Sequence, residues 1–165
     1  MTDIVVDVEA DGPCPGLYSM ISFGAVELST MKGFYVELKP ISDHFDSGAL
    51  NACNFTREQT MEFPSAELAM TQFDKWLKQF NKPLTFWSDN NGFDWQFINY
   101  YFHLCNSNNP FGFSSRRIGD YYCGQENNVR ANRHWKKLRK TKHTHNALDD
   151  AMGNAEALKV ILNRK

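Results

Sequence analysis

Two carboxylates one residue apart stand near the start of the chain, where Asp7 and Glu9 flank Val8. A third, Asp94, ends the run Asn90-Asn91-Gly92-Phe93-Asp94, and a fourth, Asp150, ends His145-Asn146-Ala147-Leu148-Asp149-Asp150. Carboxylate oxygens are hard donors suited to Mg²⁺ or Mn²⁺. An imidazole accepts a proton near neutral pH without being permanently charged. Any one of these motifs alone reads equally well as a solvated end of an element. Four acids and a histidine, all at element ends, point instead to one cleft that combines metal binding with proton transfer.

The elements that must position them are legible in outline. Ile4-Val5-Val6-Asp7-Val8-Glu9-Ala10 is β-branched and stops at Asp11-Gly12-Pro13, the pattern of a strand ending in a turn. Alternation puts Ile4, Val6 and Val8 on one face and Val5, Asp7 and Glu9 on the other, so both acids project from one side. Met20 to Leu28 and Gly33 to Leu38 read as two further strands, joined through Ser29-Thr30-Met31-Lys32 as a hairpin. Thr56 is placed to cap a short helix over Arg57-Glu58-Gln59-Thr60-Met61. Ser65 to Phe80 reads as an amphipathic helix whose apolar residues are Leu68, Phe73, Trp76, Leu77 and Phe80. Leu84 to Trp87 is a short buried-type strand, followed by a helix from about Phe93 to Cys105 that Asp94 opens.

A polar Gly- and Asn-rich stretch from Asn106 to Phe113 precedes a short strand expected at Arg116 to Asp120. Asn146 to Asn163 carries Leu148, Ala151, Met152, Ala155, Leu158 and Ile161 at helical spacing, with His145 just before it. The alternation of strands and helices, without an internal repeat or linker, predicts one α/β domain over residues 1–165, a mixed sheet covered by helices.

A formal net charge of -1 excludes neither nucleic acid nor an acidic small molecule as partner. Its distribution says more, because nine Lys/Arg face two acids, Asp120 and Glu126, between Arg116 and Lys142. The four cysteines are widely spaced without a Cys-x-x-Cys pair, which argues against a zinc knuckle or a disulfide framework and for a reducing, cytoplasmic setting. The start of the chain lacks the pattern of a signal peptide, and no apolar run reaches the roughly 18 residues of a membrane span.

The three motifs in this order resemble the DEDDh branch of the DnaQ-like, RNase H-like 3'-5' exonucleases. That family carries D-x-E, N-x-x-F-D or N-x-x-x-F-D, and H-x-x-x-x-D. The match covers most of the chain. Ile21-Ser22-Phe23-Gly24-Ala25-Val26 and Asn54-Phe55-Thr56-Arg57-Glu58 are similar to further family segments, with Asn54 replacing the usual glycine. The resemblance implies an RNase H-like fold and two divalent ions, Mg²⁺ or Mn²⁺, which together activate the attacking oxygen and stabilise the leaving one. It further implies that Asp7 bridges both ions, that Glu9 and Asp150 hold the one beside the water, that Asp94 serves the other, and that His145 is the general base. Counting from His145 selects Asp150 over the adjacent Asp149, and the same spacing prefers His145 to His143.

By the same resemblance Glu9 and the backbone at Ala10 meet the terminal 3'-hydroxyl, and Asn90, which opens the second motif, is an expected substrate contact. Leu17, Met20 and Phe23 are candidates for wedging or stacking against the last base, although Phe23 reads equally as a core strand residue. The cationic run from Arg130 to Lys142 is expected to bind phosphates, with Trp135 as a stacking platform. Asp120 is either a further site acid or a partner for Arg116 or Arg117. The expected substrate is the 3' end of single-stranded nucleic acid or a 3' overhang. RNA is favoured and a DNA proofreading or end-processing enzyme is the alternative, because the basic run does not tell the two polymers apart. A binding domain that has lost catalysis would lack one of the five residues, and none is missing. Small stand-alone members of the family include dimers, which makes a homodimer an option.

Overall fold

The computed structural model describes residues 1–105 and 108–164. Its centre is a five-stranded sheet in the order β3-β2-β1-β4-β5. Strands β1 (Thr2–Ala10), β2 (Met20–Glu27) and β3 (Lys32–Glu37) form the expected antiparallel meander. β4 (Leu84–Ser88) then adds in parallel beside β1, and β5 (Ser115–Arg117) adds in parallel beside β4.

Each face of this sheet is closed by helices, as a two-sided apolar sheet requires. Ile4, Val6 and Val8 enter one core with Phe73, Trp76, Phe97, Ile98 and Phe102. These side chains come from α3 (Ala66–Leu77) and α4 (Asn91–Cys105). Val5 enters a second core with Trp87, Ile118, Trp135, Ala151, Ala155 and Leu158. That core is built by α5 (Ile118–Gln125), α6 (Ala147–Leu162) and a 3₁₀ turn at His134–Leu138. Two short helices, α1 (Ser47–Ala52) and α2 (Arg57–Met61), connect β3 to α3.

Local chemistry explains the boundaries. Thr56 accepts from the Gln59 N–H while the Gln59 side chain accepts from the Thr56 N–H, a reciprocal cap that starts α2. Ser65 caps α3 through the Leu68 N–H, and Asn146 caps α6 through Leu148 and Asp149. α6 presents Ala147, Ala151, Gly153 and Ala155 to the interior, which lets its axis lie close to the sheet.

Two expectations about the elements change. Leu68 is 50% exposed rather than in the α3 core. It stands five positions before Phe73, and the buried face runs instead through Ala66, Ala69, Met70 and Phe73. The short strand stops at Arg117, because Ile118 and Tyr122, four residues apart, bury one face of helix α5. Within the polar stretch expected from Asn106 to Phe113, the first two positions lie outside the described residues. Helix α1 was not expected; Asp46 caps it by accepting from the Gly48 and Ala49 N–H groups.

Candidate active site

Strand β1 carries Asp7 and Glu9 on the face that looks toward α6, the same side as Val5. Asp7 pairs with Gly24 across the ladder and Glu9 with Ser22. The pairing of β1 with β4 ends at Val5 opposite Trp87, so the two strands part just before the acids. The Val8 N–H, left without a strand partner on that side, donates to Asp94 Oδ1 at 3.1 Å. Asp94 sits in the first turn of α4, where the positive end of the helix dipole favours an anion.

Asp150 comes from the first turn of α6. Asp7, Glu9 and Asp150 each offer an oxygen within 4.8 Å of the others. Asp149 turns away, accepting from Thr144 Oγ1 at 2.9 Å. Asp150 is closely held: Oδ1 accepts from Arg139 Nη2 at 2.8 Å and lies 2.7 Å from His143 Nδ1, while Oδ2 accepts the His145 N–H at 3.1 Å. One helical turn on, Asn154 Nδ2 reaches Asp7 Oδ1 at 3.5 Å. Cys53, at the end of α1, donates its thiol to Glu9 Oε2 at 3.1 Å.

The cluster strains against its own charge. Burial pushes Asp7 well above the usual carboxylate range, and the charges of Asp94, Glu9 and Asp150 add to this, against a smaller opposing effect of Arg139. Burial raises Asp94 to about 8, more than the nearby Ser88 side chain and the hydrogen bond from the Val8 N–H offset. Glu9 is raised too, chiefly by burial, with the Cys53 hydrogen bond opposing. Asp94 Oδ2 and Asn154 Oδ1 are buried and have no hydrogen-bond partner among the described residues. Several anionic oxygens facing one point, with more negative charge than the chain's own donors satisfy, fit a hard divalent cation.

Both histidines lie at this cluster, with ring centroids 4.2 Å apart. His145 is 49% exposed and its Nδ1 stands 4.0 Å from Glu9 Oε1; His143 is 56% exposed. His145 has a φ of 59°, in the left-handed region.

The geometry brings together all five motif residues but not all the proposed substrate contacts. Met20, Phe23 and Trp135 have no exposed surface and present no stacking face. Phe23 packs edge-on against Phe73 in the first core, and the Met20 N–H donates to Tyr101 Oη at 2.9 Å. Trp135 fills the second core, with its indole N–H donating to the Asn132 carbonyl at 2.9 Å. Ala10 is buried, Leu17 is half-exposed on the loop after β1, and Asn90 is exposed with its carbonyl accepting from the N–H groups of Phe93 and Asp94. Asp120 is an exposed partner of Arg117 at 2.9 Å. The sequence motifs do not mark Arg139, Cys53 or Asn154 as contacts of the carboxylates. Only Asn154 carried a signal, its position four residues after Asp150 on the same helix face.

Residues 2–162 match the model of the 3'-5' exoribonuclease Rv2179c-like domain family. The chain belongs to that family. It is also 36% identical to the 3'-5' DNA exonuclease Cap18 of Escherichia coli, over 96% of this chain and 90% of that protein. Among solved structures, the nuclease domain of 3'hExo, a DEDDh family member bound to rAMP, superposes with a TM-score of 0.77 at 17% identity, covering 98% of this chain and 91% of that one. E. coli Exonuclease I in complex with a dT13 oligonucleotide gives 0.73 at 18% identity, covering 99% of this chain and 41% of that one. These likenesses establish the DEDDh, RNase H-like fold, and family membership makes the chain a 3'-5' exonuclease. No helix among the described residues is long and apolar enough to cross a membrane.

Proposed function

We propose that this exonuclease removes nucleotides one at a time from the 3' end of single-stranded nucleic acid or a 3' overhang, releasing nucleoside 5'-monophosphates. The observation that carries the reading is the convergence of Asp7, Glu9 and Asp150 within 4.8 Å beside the buried Asp94 Oδ2, which has no hydrogen-bond partner among the described residues. Asp7, Glu9, Asp94 and Asp150 would hold two Mg²⁺ or Mn²⁺ ions. When bound, such ions polarise the phosphoryl group, lower the pKa of water and stabilise the leaving oxygen.

The chain's own residues supply the rest. His145, half-exposed beside Glu9, takes the proton of the attacking water as its oxygen bonds to phosphorus. The bond from phosphorus to the 3'-oxygen of the preceding nucleotide breaks, and that oxygen leaves as an alkoxide that takes a proton from solvent to become the new 3'-hydroxyl. Arg139 holds Asp150 in place through its side chain and its carbonyl at 3.1 Å. Glu9 and the Ala10 backbone, at the end of β1, are the proposed contacts of the terminal 3'-hydroxyl.

For the polymer we favour RNA, in line with the description of the matching family. DNA is the second reading, favoured by the E. coli relative at 36% identity that is named a DNA exonuclease. The four unpaired cysteines suit a cytoplasmic setting. Homodimer formation is the proposed alternative to a monomer. The test is a 5'-labelled oligoribonucleotide and its deoxy twin, incubated with and without chelator. Stepwise shortening that needs Mg²⁺ or Mn²⁺ is expected, faster on RNA. Shortening that survives in Asp7→Ala removes the two-ion assignment.

A further inference from the structure

Helix α1 is tied at its two ends to the stretch Glu9 to Asp11, where β1 runs out. At its start, Asp46 accepts from the Gly48 and Ala49 N–H groups, and the Asp46 N–H donates to the Asp11 carbonyl at 2.7 Å. At its end, Asn54 turns left-handed with a φ of 61°. The Phe55 N–H then reaches the Leu50 carbonyl and the Asn54 N–H reaches that of Asn51, each at 3.1 Å. This paired closure is a Schellman stop, and asparagine is one of the few side chains that adopt its left-handed position readily. Cys53 is the capping residue between helix and turn, so the backbone fixes the direction of its Cα–Cβ bond.

Cys53 is buried, and its Sγ stands 3.1 Å from Glu9 Oε2, with the Ala10 carbonyl at 4.0 Å. A sulfur so close to a carboxylate oxygen has its proton between them, since two anions at that distance would repel. The other oxygen, Oε1, faces His145, whose Nδ1 lies 4.0 Å away. Asp150 is held by Arg139 and by the His145 N–H, whereas among the described residues the thiol is the one hydrogen-bond donor to the Glu9 side chain. Resting on the two-ion reading above, we propose that Cys53 is a positioning residue, whose thiol fixes the Glu9 carboxylate in the orientation in which it shares the cluster with Asp7 and Asp150. Helix α1 is the brace that carries this hold from Asp11 to Glu9. A neutral donor suits the task, because it orients the carboxylate without cancelling the negative charge that a cation needs.

The test measures metal binding rather than turnover. Mn²⁺ affinity, read from the electron paramagnetic resonance of the free ion, falls about tenfold in Cys53→Ala and Cys53→Val. In Cys53→Ser, whose hydroxyl also donates, it stays within about twofold of the wild type. Valine refills the space that alanine leaves, so the pair separates a lost donor from lost packing, and urea midpoints establish that the variants compared are folded. The thiol supplies a second reading. Its S–H stretching band, identified in the infrared by difference from Cys53→Ser, moves to higher frequency in Glu9→Gln, where the acceptor is no longer charged. Mn²⁺ binding as tight in Cys53→Ala as in the wild type, serine as weak as alanine, or valine as good as serine would overturn the proposal, as would an S–H band indifferent to Glu9→Gln. A wild-type protein that binds no Mn²⁺ would instead refute the two-ion reading on which it rests.

Discussion

Gly24 on β2 and Ala147 at the start of α6 are in backbone contact: a Cβ on Gly24 would overlap the Ala147 carbonyl and the Leu148 Cα. Gly24 is also the ladder partner of Asp7, so this contact sets the distance between the strand carrying Asp7 and the helix carrying Asp150.

Gly24→Ala must therefore push α6 away from the sheet, since backbone cannot rotate aside as a side chain can. Overpacking of this kind costs about 1–3 kcal/mol. The expected loss in kcat is on the order of 100-fold, because a displacement of about 1 Å at a reacting group has that effect. Gly33→Ala is the control: its Cβ would meet only the tip of the Leu148 side chain, at 3.0 Å. Denaturant titration and mononucleotide release measured on both variants check the difference. Wild-type turnover in Gly24→Ala would mean that α6 has slack the packing does not suggest.

A second prediction concerns the loops beyond β1. Asp11 is wholly buried and accepts from Arg57 Nη1 at 3.0 Å and from the Ser19 N–H. Its carbonyl accepts from the Asp46 N–H at 2.7 Å, and Arg57 also donates to the Ser42 carbonyl. Three segments are thus joined at one ion pair. Burial still raises Asp11 above its ordinary pKa despite these donors, so the compensation is incomplete. Removing Arg57 leaves a buried carboxylate without its cation, and Arg57→Ala should cost about 3–5 kcal/mol in urea unfolding. Arg57→Ala combined with Asp11→Asn should be less destabilising than the sum of the two single changes.

The raised carboxylates set a pH dependence whose sign is opposite to the usual acid unfolding. For Asp7, Glu9 and Asp94 the folded protein holds protons more tightly than the unfolded chain does. Their contribution is therefore greatest below the unfolded value near 4 and is lost as pH rises toward about 8, where Asp94 ionises. Each such group costs about 1.4 kcal/mol per pH unit within its window. In chelator, the midpoint of thermal unfolding should fall between pH 5 and pH 8, after allowance for the rest of the chain by comparison with Asp94→Asn. Mn²⁺ should reverse the fall and release protons on binding, which calorimetry in buffers of different ionisation enthalpy detects. A flat slope shared by wild type and Asp94→Asn would remove the reason for assigning a cation to this cluster.

How much of this was legible beforehand depended on whether the signal was periodic. Alternation along β1 placed Asp7 and Glu9 on one face, and the apolar spacing of α6 located its first turn and with it Asp150. Arg139 meets Asp150 across a turn with no repeat, and Cys53 reaches Glu9 over a separation of 44 residues. No local pattern encodes either contact. Trp135 misled because an aromatic flanked by cations resembles a stacking surface. The 3₁₀ turn that carries it folds the indole inward, over Gly119, where a Cβ would lie 3.4 Å from its nitrogen. The mixed sheet was readable because β1 to β4 each carry an apolar run bounded by turns, whereas β5 spans only three residues and α5 follows it at once.

The choice between the two histidines can be decided without disturbing the backbone. His145 has a φ of 59°, a conformation asparagine adopts more readily than alanine, so His145→Asn removes the imidazole with little added strain. If His145 is the base, this variant should lose about 10²–10⁴-fold in kcat while binding Mn²⁺ as tightly as the wild type. His143 touches Asp150 Oδ1 at 2.7 Å, so its loss should act on metal binding instead. His143→Asn is expected to raise the Mn²⁺ concentration for half-maximal rate about tenfold and to leave saturated kcat within a few-fold, the behaviour of a group that orients a ligand. Rates measured across a Mn²⁺ titration separate the two effects. The opposite pattern, with saturated kcat collapsing in His143→Asn and surviving in His145→Asn, would transfer the proton-accepting role to His143.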